Sequence, residues 1–149
     1  MSDHTIRRSI VVGVPPARAF AVWTRRVDLW WPPSHRAKSG ALGTMCFEEH
    51  VGGRLFERDE TGEDRDYGRV TTWEPPSLLE YEFYPGTGRA LPTDVSIHFV
   101  GVPEGTRVDV VHSAGVAGAA YAASVSGYRR AWDELFESFD HYIRQGADP

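Results

Sequence analysis

The chain has 149 residues, a formal net charge of −5 at pH 7, 41% hydrophobic and 25% charged residues, which fits one soluble globular domain and excludes whole-chain disorder, collagen-like structure and coiled coil. The acidic balance, with only the isolated pairs Arg25-Arg26 and Arg129-Arg130 in place of a basic block, argues against nucleic-acid binding. Cys46 is the single cysteine, so no intramolecular disulfide can form and a reducing compartment fits. Apolar stretches are too short to span a bilayer, and Met1–Thr5 lacks the charged start and apolar run of a secretory signal. The expectation is a cytoplasmic protein without a membrane segment, one domain over residues 1–149 with its core in about 6–145.

Taken in chain order, Ile6 to Val14 is rich in β-branched residues, with Ile6, Ile10 and Val12 on one parity, and predicts a first strand. Pro15-Pro16 ends it and suits the start of a short helix carrying Phe20 and Trp23. Asp28 to Trp31 has room for one more helical turn before Pro32-Pro33 stops it. From Thr44 the pattern changes to strands with close-set turns: Met45–Val51, a Gly52-Gly53 turn, Arg54–Arg58, a polar tip at Asp59–Asp64, then Tyr67–Trp73 and Leu78–Tyr84. Val95, Ile97 and Phe99 alternate with polar residues, as do Val108 and Val110 beyond the Pro103-Glu104-Gly105 turn, so each of these strands has one dry face. Tyr121, Val125, Tyr128, Trp132, Leu135, Phe139 and Tyr142 follow at alternating spacings of 4 and 3, which places all seven on one stripe of a helix. That helix is expected to run from about Gly118–Ala122 to Gln145, roughly 37 Å at 1.5 Å per residue. Gly127 interrupts it at a cost of about 1 kcal/mol relative to alanine. Seven strands, a long terminal helix and a short helical insert give an α+β fold, an antiparallel sheet with its helices on one face.

Six segments carry a family resemblance: Val14-Pro15-Pro16-Ala17-Arg18-Ala19-Phe20, Trp30-Trp31-Pro32, Val51-Gly52-Gly53-Arg54, Gly68-Arg69-Val70 with Trp73-Glu74-Pro75-Pro76, Thr106-Arg107-Val108 leading to His112, and Tyr128 with Trp132 and Leu135. In this order and spacing the chain resembles the bacterial relatives of the heat-shock-protein-90 ATPase activator C-terminal domain, within the START/polyketide-cyclase/birch-pollen-allergen (SRPBCC) superfamily. The resemblance implies a helix-grip fold, in which a seven-stranded curved sheet wraps the C-terminal helix and two short helices close one end. It also implies a cavity between sheet and helix that relatives use for hydrophobic ligands or ring-forming chemistry. The eukaryotic activator's role depends on a further N-terminal domain, for which the 149 residues leave no room.

His112 shares the parity of Val108 and Val110 and should face inward, either as a ligand-contacting or proton-transferring imidazole or as a core histidine with its hydrogen bonds satisfied. Glu48, Glu49 and His50 make an acidic and imidazole cluster beside Gly52-Gly53, without the converging ligand set that a metal requires. Arg8 falls between Ile6 and Ile10, where it would need a carboxylate partner if buried. Cys46 has no adjacent base, and no nucleophile elbow or phosphate loop is present. Trp31, Phe47, Tyr81 and Phe83, with His112, Tyr128 and Trp132, are the expected wall of a pocket for an apolar ligand. The expected function is binding of a hydrophobic or amphipathic small molecule. The alternatives are a cyclase- or dehydratase-like enzyme using His112 in the same cavity, and a chaperone-associated interaction module. Neither metal nor cofactor is expected, and a monomer or weak homodimer suits the sequence.

Overall fold

The hydrophobic alternation resolves into one seven-stranded antiparallel sheet in the order β1-β7-β6-β5-β4-β3-β2, seen in a computed structural model that describes residues 4–36 and 43–146. The strands are β1 (Ile6–Val12), β2 (Thr44–Phe47), β3 (Arg54–Arg58), β4 (Asp64–Glu74), β5 (Leu78–Phe83), β6 (Thr93–Val102) and β7 (Gly105–Ser113). All but one of the neighbouring pairs are consecutive hairpins. The exception pairs β1 with β7, setting Ile6 opposite His112 and Val12 opposite Thr106. The helices are α1 (Pro16–Thr24), α2 (Val27–Trp30) and α3 (Ala119–Arg144), with a 3₁₀ turn at Pro33–His35. This is the expected helix-grip architecture, with α3 lying in the concave face of the curved sheet.

The stripe on α3 buries as its spacing requires: Tyr121, Val125, Tyr128, Trp132, Leu135 and Phe139 are buried, joined by Phe136, while Tyr142 is half-buried. Pro16 occupies the first turn of α1, where its missing N–H costs nothing. That helix sends Phe20 against Trp73 and Phe99, both at 5.1 Å between ring centres. Trp30 folds α2 back on α1 by donating its indole N–H to the Val22 carbonyl at 2.9 Å. Trp23 is fully buried between α3 and the sheet, 4.5 Å from Trp30, 4.9 Å from Phe139 and stacked on Trp132 at 6.3 Å. These rings pack against one another in the buried core.

Two departures from the sequence reading affect parity. β2 stops at Phe47 rather than Val51, because the Glu48 carboxylate turns back to accept the Arg54 backbone N–H at 2.8 Å and closes a loop over residues 48–53. Glu48 and His50 therefore do not share a strand face. The register steps from Leu55↔Gly68 to Phe56↔Asp66 and from Val70↔Tyr81 to Thr72↔Glu80, so β4 carries two bulges, at Tyr67 and at Thr71, each of which resets the alternation beyond it. No helix among the described residues is long and apolar enough to cross a membrane.

Candidate functional site

Three small residues of α3, Ala123, Gly127 and Ala131, recur every four positions and so stack on one helix face. Beside the buried aromatic stripe, that face retreats from the sheet and leaves a cleft of about 510 Å³. Trp31 and His35 form its outer wall, Tyr67 and Phe83 line it from the sheet, and Tyr128, Trp132 and Leu135 from the helix. The volume falls within the roughly 300–1,000 Å³ of small-molecule sites. It opens along the flank of α3, since Ala123, Gly127 and Arg130 are both exposed and part of its lining.

Each wall is fixed by identifiable bonds. Tyr128 donates its hydroxyl to the Pro85 carbonyl at 2.6 Å, and Ser124 donates to the Gly86 carbonyl at 3.2 Å, tying α3 to the β5–β6 loop. Gly86 sits at φ +88°, and a Cβ there would approach the Tyr128 hydroxyl to 2.7 Å, so both conformation and contact require glycine. Burial raises the Tyr128 phenol's pKa, partly offset by the neighbouring Thr87 and Ser124 hydroxyls. Trp31 is held by its indole N–H to the His35 carbonyl at 3.1 Å. His35 Nε2 then meets Glu134 Oε1 of α3 at 2.5 Å, linking the two sides of the mouth. Tyr67 donates its hydroxyl at 2.7 Å to Glu57, a carboxylate only 2% exposed.

Of the seven residues expected to form the wall, Trp31, Phe83, Tyr128 and Trp132 line the cleft, and Phe47, Tyr81 and His112 do not. Phe47 and Tyr81 lie behind it, packed on each other at 5.6 Å. The Tyr81 hydroxyl and the Trp23 indole N–H are both buried without a well-formed hydrogen bond. Burial drives the Tyr81 phenol's pKa far upward, opposed only weakly by that indole.

His112 is fully buried and its proton inventory has one solution. Trp132 Nε1–H donates to His112 Nδ1 at 2.9 Å, so the remaining proton is on Nε2. That proton goes to Thr93 Oγ1 at 2.8 Å, and the Thr93 hydroxyl donates onward to the Phe83 carbonyl at 3.0 Å. Burial lowers the pKa to about 4, so the ring is neutral at pH 7. Both nitrogens are engaged inside the protein, which is the satisfied core histidine of the two sequence readings.

The other candidates are likewise engaged. Arg8 is a third exposed and pairs with Asp133 of α3 at 2.9 Å. Arg25 pairs with Glu49 at 3.3 Å, and Glu48 with Arg54 at 3.2 Å. Among the described residues no three His, Cys, Asp or Glu side chains converge as a metal site. The half-buried Cys46 thiol has its pKa raised, chiefly by burial, which disfavours the thiolate. Sequence reasoning missed His35, Tyr67 and the row of small residues on α3. The one signal available was Gly127, a costly residue in mid-helix.

Residues 13–144 match the family described as Activator of Hsp90 ATPase homolog 1-like protein. The chain belongs to that family. No curated protein matches it in sequence. Among solved structures, protein MLL2253 from Mesorhizobium loti superposes with a TM-score of 0.71 at 19% identity, covering 97% of this chain and 99% of that one. Protein NE0264 from Nitrosomonas europaea gives 0.72 at 12% identity, with 98% of each chain covered. These two likenesses establish the fold. The anthrahydroquino-gamma-pyrone synthase Txn09 gives a TM-score of 0.65 at 28% identity, covering 92% of this chain and 95% of its own.

Proposed function

We propose that this family member binds a hydrophobic or amphipathic small molecule, with a flat ring system, in the cleft beside α3. The observation that carries the reading is the opposition of small helix residues (Ala123, Gly127, Ala131) to the aromatic side chains of Trp31, Phe83 and Trp132 around about 510 Å³ of open volume. A sheet-like guest fits between a smooth helix face and aromatic rings, and burial of its apolar area supplies roughly 25 cal/mol per Å². Tyr67 and Tyr128 offer polar edges that orient it. Phe47, Tyr81 and His112 support the wall from behind, His112 by fixing the Trp132 indole. The test is a thermal-shift screen of planar aromatic compounds against the protein and its Gly127→Leu variant. The reading expects concentration-dependent stabilisation of the first and none of the second. Equal stabilisation of both would place binding elsewhere.

A second reading has two specific supports, the 28% identity to an anthrahydroquino-gamma-pyrone synthase and the Tyr67–Glu57 hydrogen bond at the cleft wall. Here the Tyr67 oxygen takes a proton from an acidic C–H of a bound polyketide-like substrate while its own hydroxyl proton passes to Glu57, leaving the substrate as its enolate, and the reverse transfers return the proton. Tyr67→Phe would then abolish turnover of a bound substrate while leaving its affinity within about twofold. A pure binding protein shows no turnover to lose.

A further inference from the structure

A second cavity of about 500 Å³ adjoins the cleft and shares His35, Tyr67 and Pro85 with it. The chemistry of the lining changes there. Arg36, Arg65 and Arg89 line the second part, and Arg130 lines the first. Among the described residues Asp66 is the one carboxylate lining either cavity, while Glu134 meets His35 and Glu57 lies behind Tyr67. The two linings together carry four arginines, in a chain with 21 acidic against 16 basic residues.

The four guanidinium groups are not equally available. Arg36 is spent on the fold, bonding Asp28 Oδ1 at 2.8 Å and the Trp31 carbonyl at 2.7 Å. Arg89 is held by Asp66 at 2.5 Å and lies over the Tyr84 ring at 5.4 Å. Arg130 and Arg65 make no ion pair among the described residues. Arg65 lines the second cavity and stands opposite the buried Glu57 in the β3–β4 ladder, so it rises from the face on which Glu57 accepts the Tyr67 hydroxyl.

We propose that the ligand is an organic acid, an apolar ring body bearing one carboxylate, with the body against Trp31, Phe83 and Trp132 and the carboxylate beside Arg65. This rests on the cleft being the binding site. A guanidinium presents two parallel N–H groups that match the two oxygens of a carboxylate. Asp66 nearby disfavours a more highly charged group, which is why a monoanion and not a polyphosphate fits. Arg130, further along the helix wall, adds a favourable field without a second anion to pair with.

The test is a titration by tryptophan fluorescence with two probes that share a ring and differ in charge, anthracene-9-carboxylate and anthracene-9-methanol. The protein is expected to bind the carboxylate about tenfold more tightly at low salt, the scale of one charge-assisted hydrogen-bonded pair. Raising the ionic strength to 1 M should shrink that preference, because the Debye length falls to about 3 Å. Arg65→Gln should erase it while leaving the affinity for the alcohol unchanged, with circular dichroism confirming the fold. Equal binding of both probes by the unaltered protein overturns the acid preference and leaves the cleft reading standing. So does a preference that survives in Arg65→Gln. Failure of the unaltered protein to bind either probe overturns both.

Discussion

Gly127 separates the demands of folding from those of binding. It lies in the middle of α3, where glycine costs about 1 kcal/mol relative to alanine. A Cβ built there meets no atom within 4 Å, so nothing in the folded protein forbids a side chain. Gly127→Ala should therefore stabilise the protein by about 1 kcal/mol, or roughly 2–4 °C in melting temperature for a chain of this size. Gly127→Leu recovers nearly the same helix propensity and also projects a branched side chain into the cleft. The two variants should melt at similar temperatures, above the parent, as followed by far-ultraviolet circular dichroism. Only the leucine should lose ligand-dependent stabilisation. That pattern is a stability sacrifice at a functional position. A destabilised Gly127→Ala would show that the glycine answers a packing need and would refute the argument that its absent side chain is what makes the cleft.

Other outcomes follow from the buried network. The His112 pKa of about 4 lies below its unfolded value near 6.5, so its contribution is complete above pH 6.5 and falls as the pH drops toward 4, by roughly 3 kcal/mol in all. Urea melts between pH 7 and 4 should show that slope in the parent and lose it in His112→Gln. Trp132→Ala both opens a core cavity and strands His112 Nδ1, and should cost about 3–5 kcal/mol in chemical denaturation. That variant is consequently a poor probe of binding, since lost ligand response and lost fold would coincide. Asp133→Ala breaks an ion pair whose partners are 33% and 64% exposed and should change stability by no more than about 0.5 kcal/mol in the same assay.

The long helix and the run of strands were legible because their periods are strong. The α3 stripe sits at 4 and 3 spacing, and β6 and β7 alternate cleanly. The 48–53 turn was not legible, because it depends on a Glu48 side chain bonding the Arg54 backbone, and residue type alone does not reveal that. The bulge at Thr71 likewise depends on how β4 meets β5. Four of the seven residues expected on the pocket wall border the cleft, because aromatic residues on inward faces lie near any opening. The opening itself is made by what is missing. Ala123, Gly127 and Ala131 fall off the hydrophobic stripe and look like an ordinary solvent face until the β5–β6 loop and the Trp31–His35 segment are placed opposite them. His35 lies in a proline-bounded stretch with no periodicity. The role of His112 is decided by Trp132, twenty residues away in sequence.

The account stands on the cleft beside α3 being the place where a ring-bearing guest lodges. Amide and indole nitrogen–proton correlation spectra, recorded while anthracene-9-carboxylate is added, test this directly. Saturable shifts should concentrate on Gly86, Ala123, Gly127, Ala131 and the indoles of Trp31 and Trp132, with the outer face of the sheet unmoved. Shifts that gather on that outer face, or that never saturate, would contradict it.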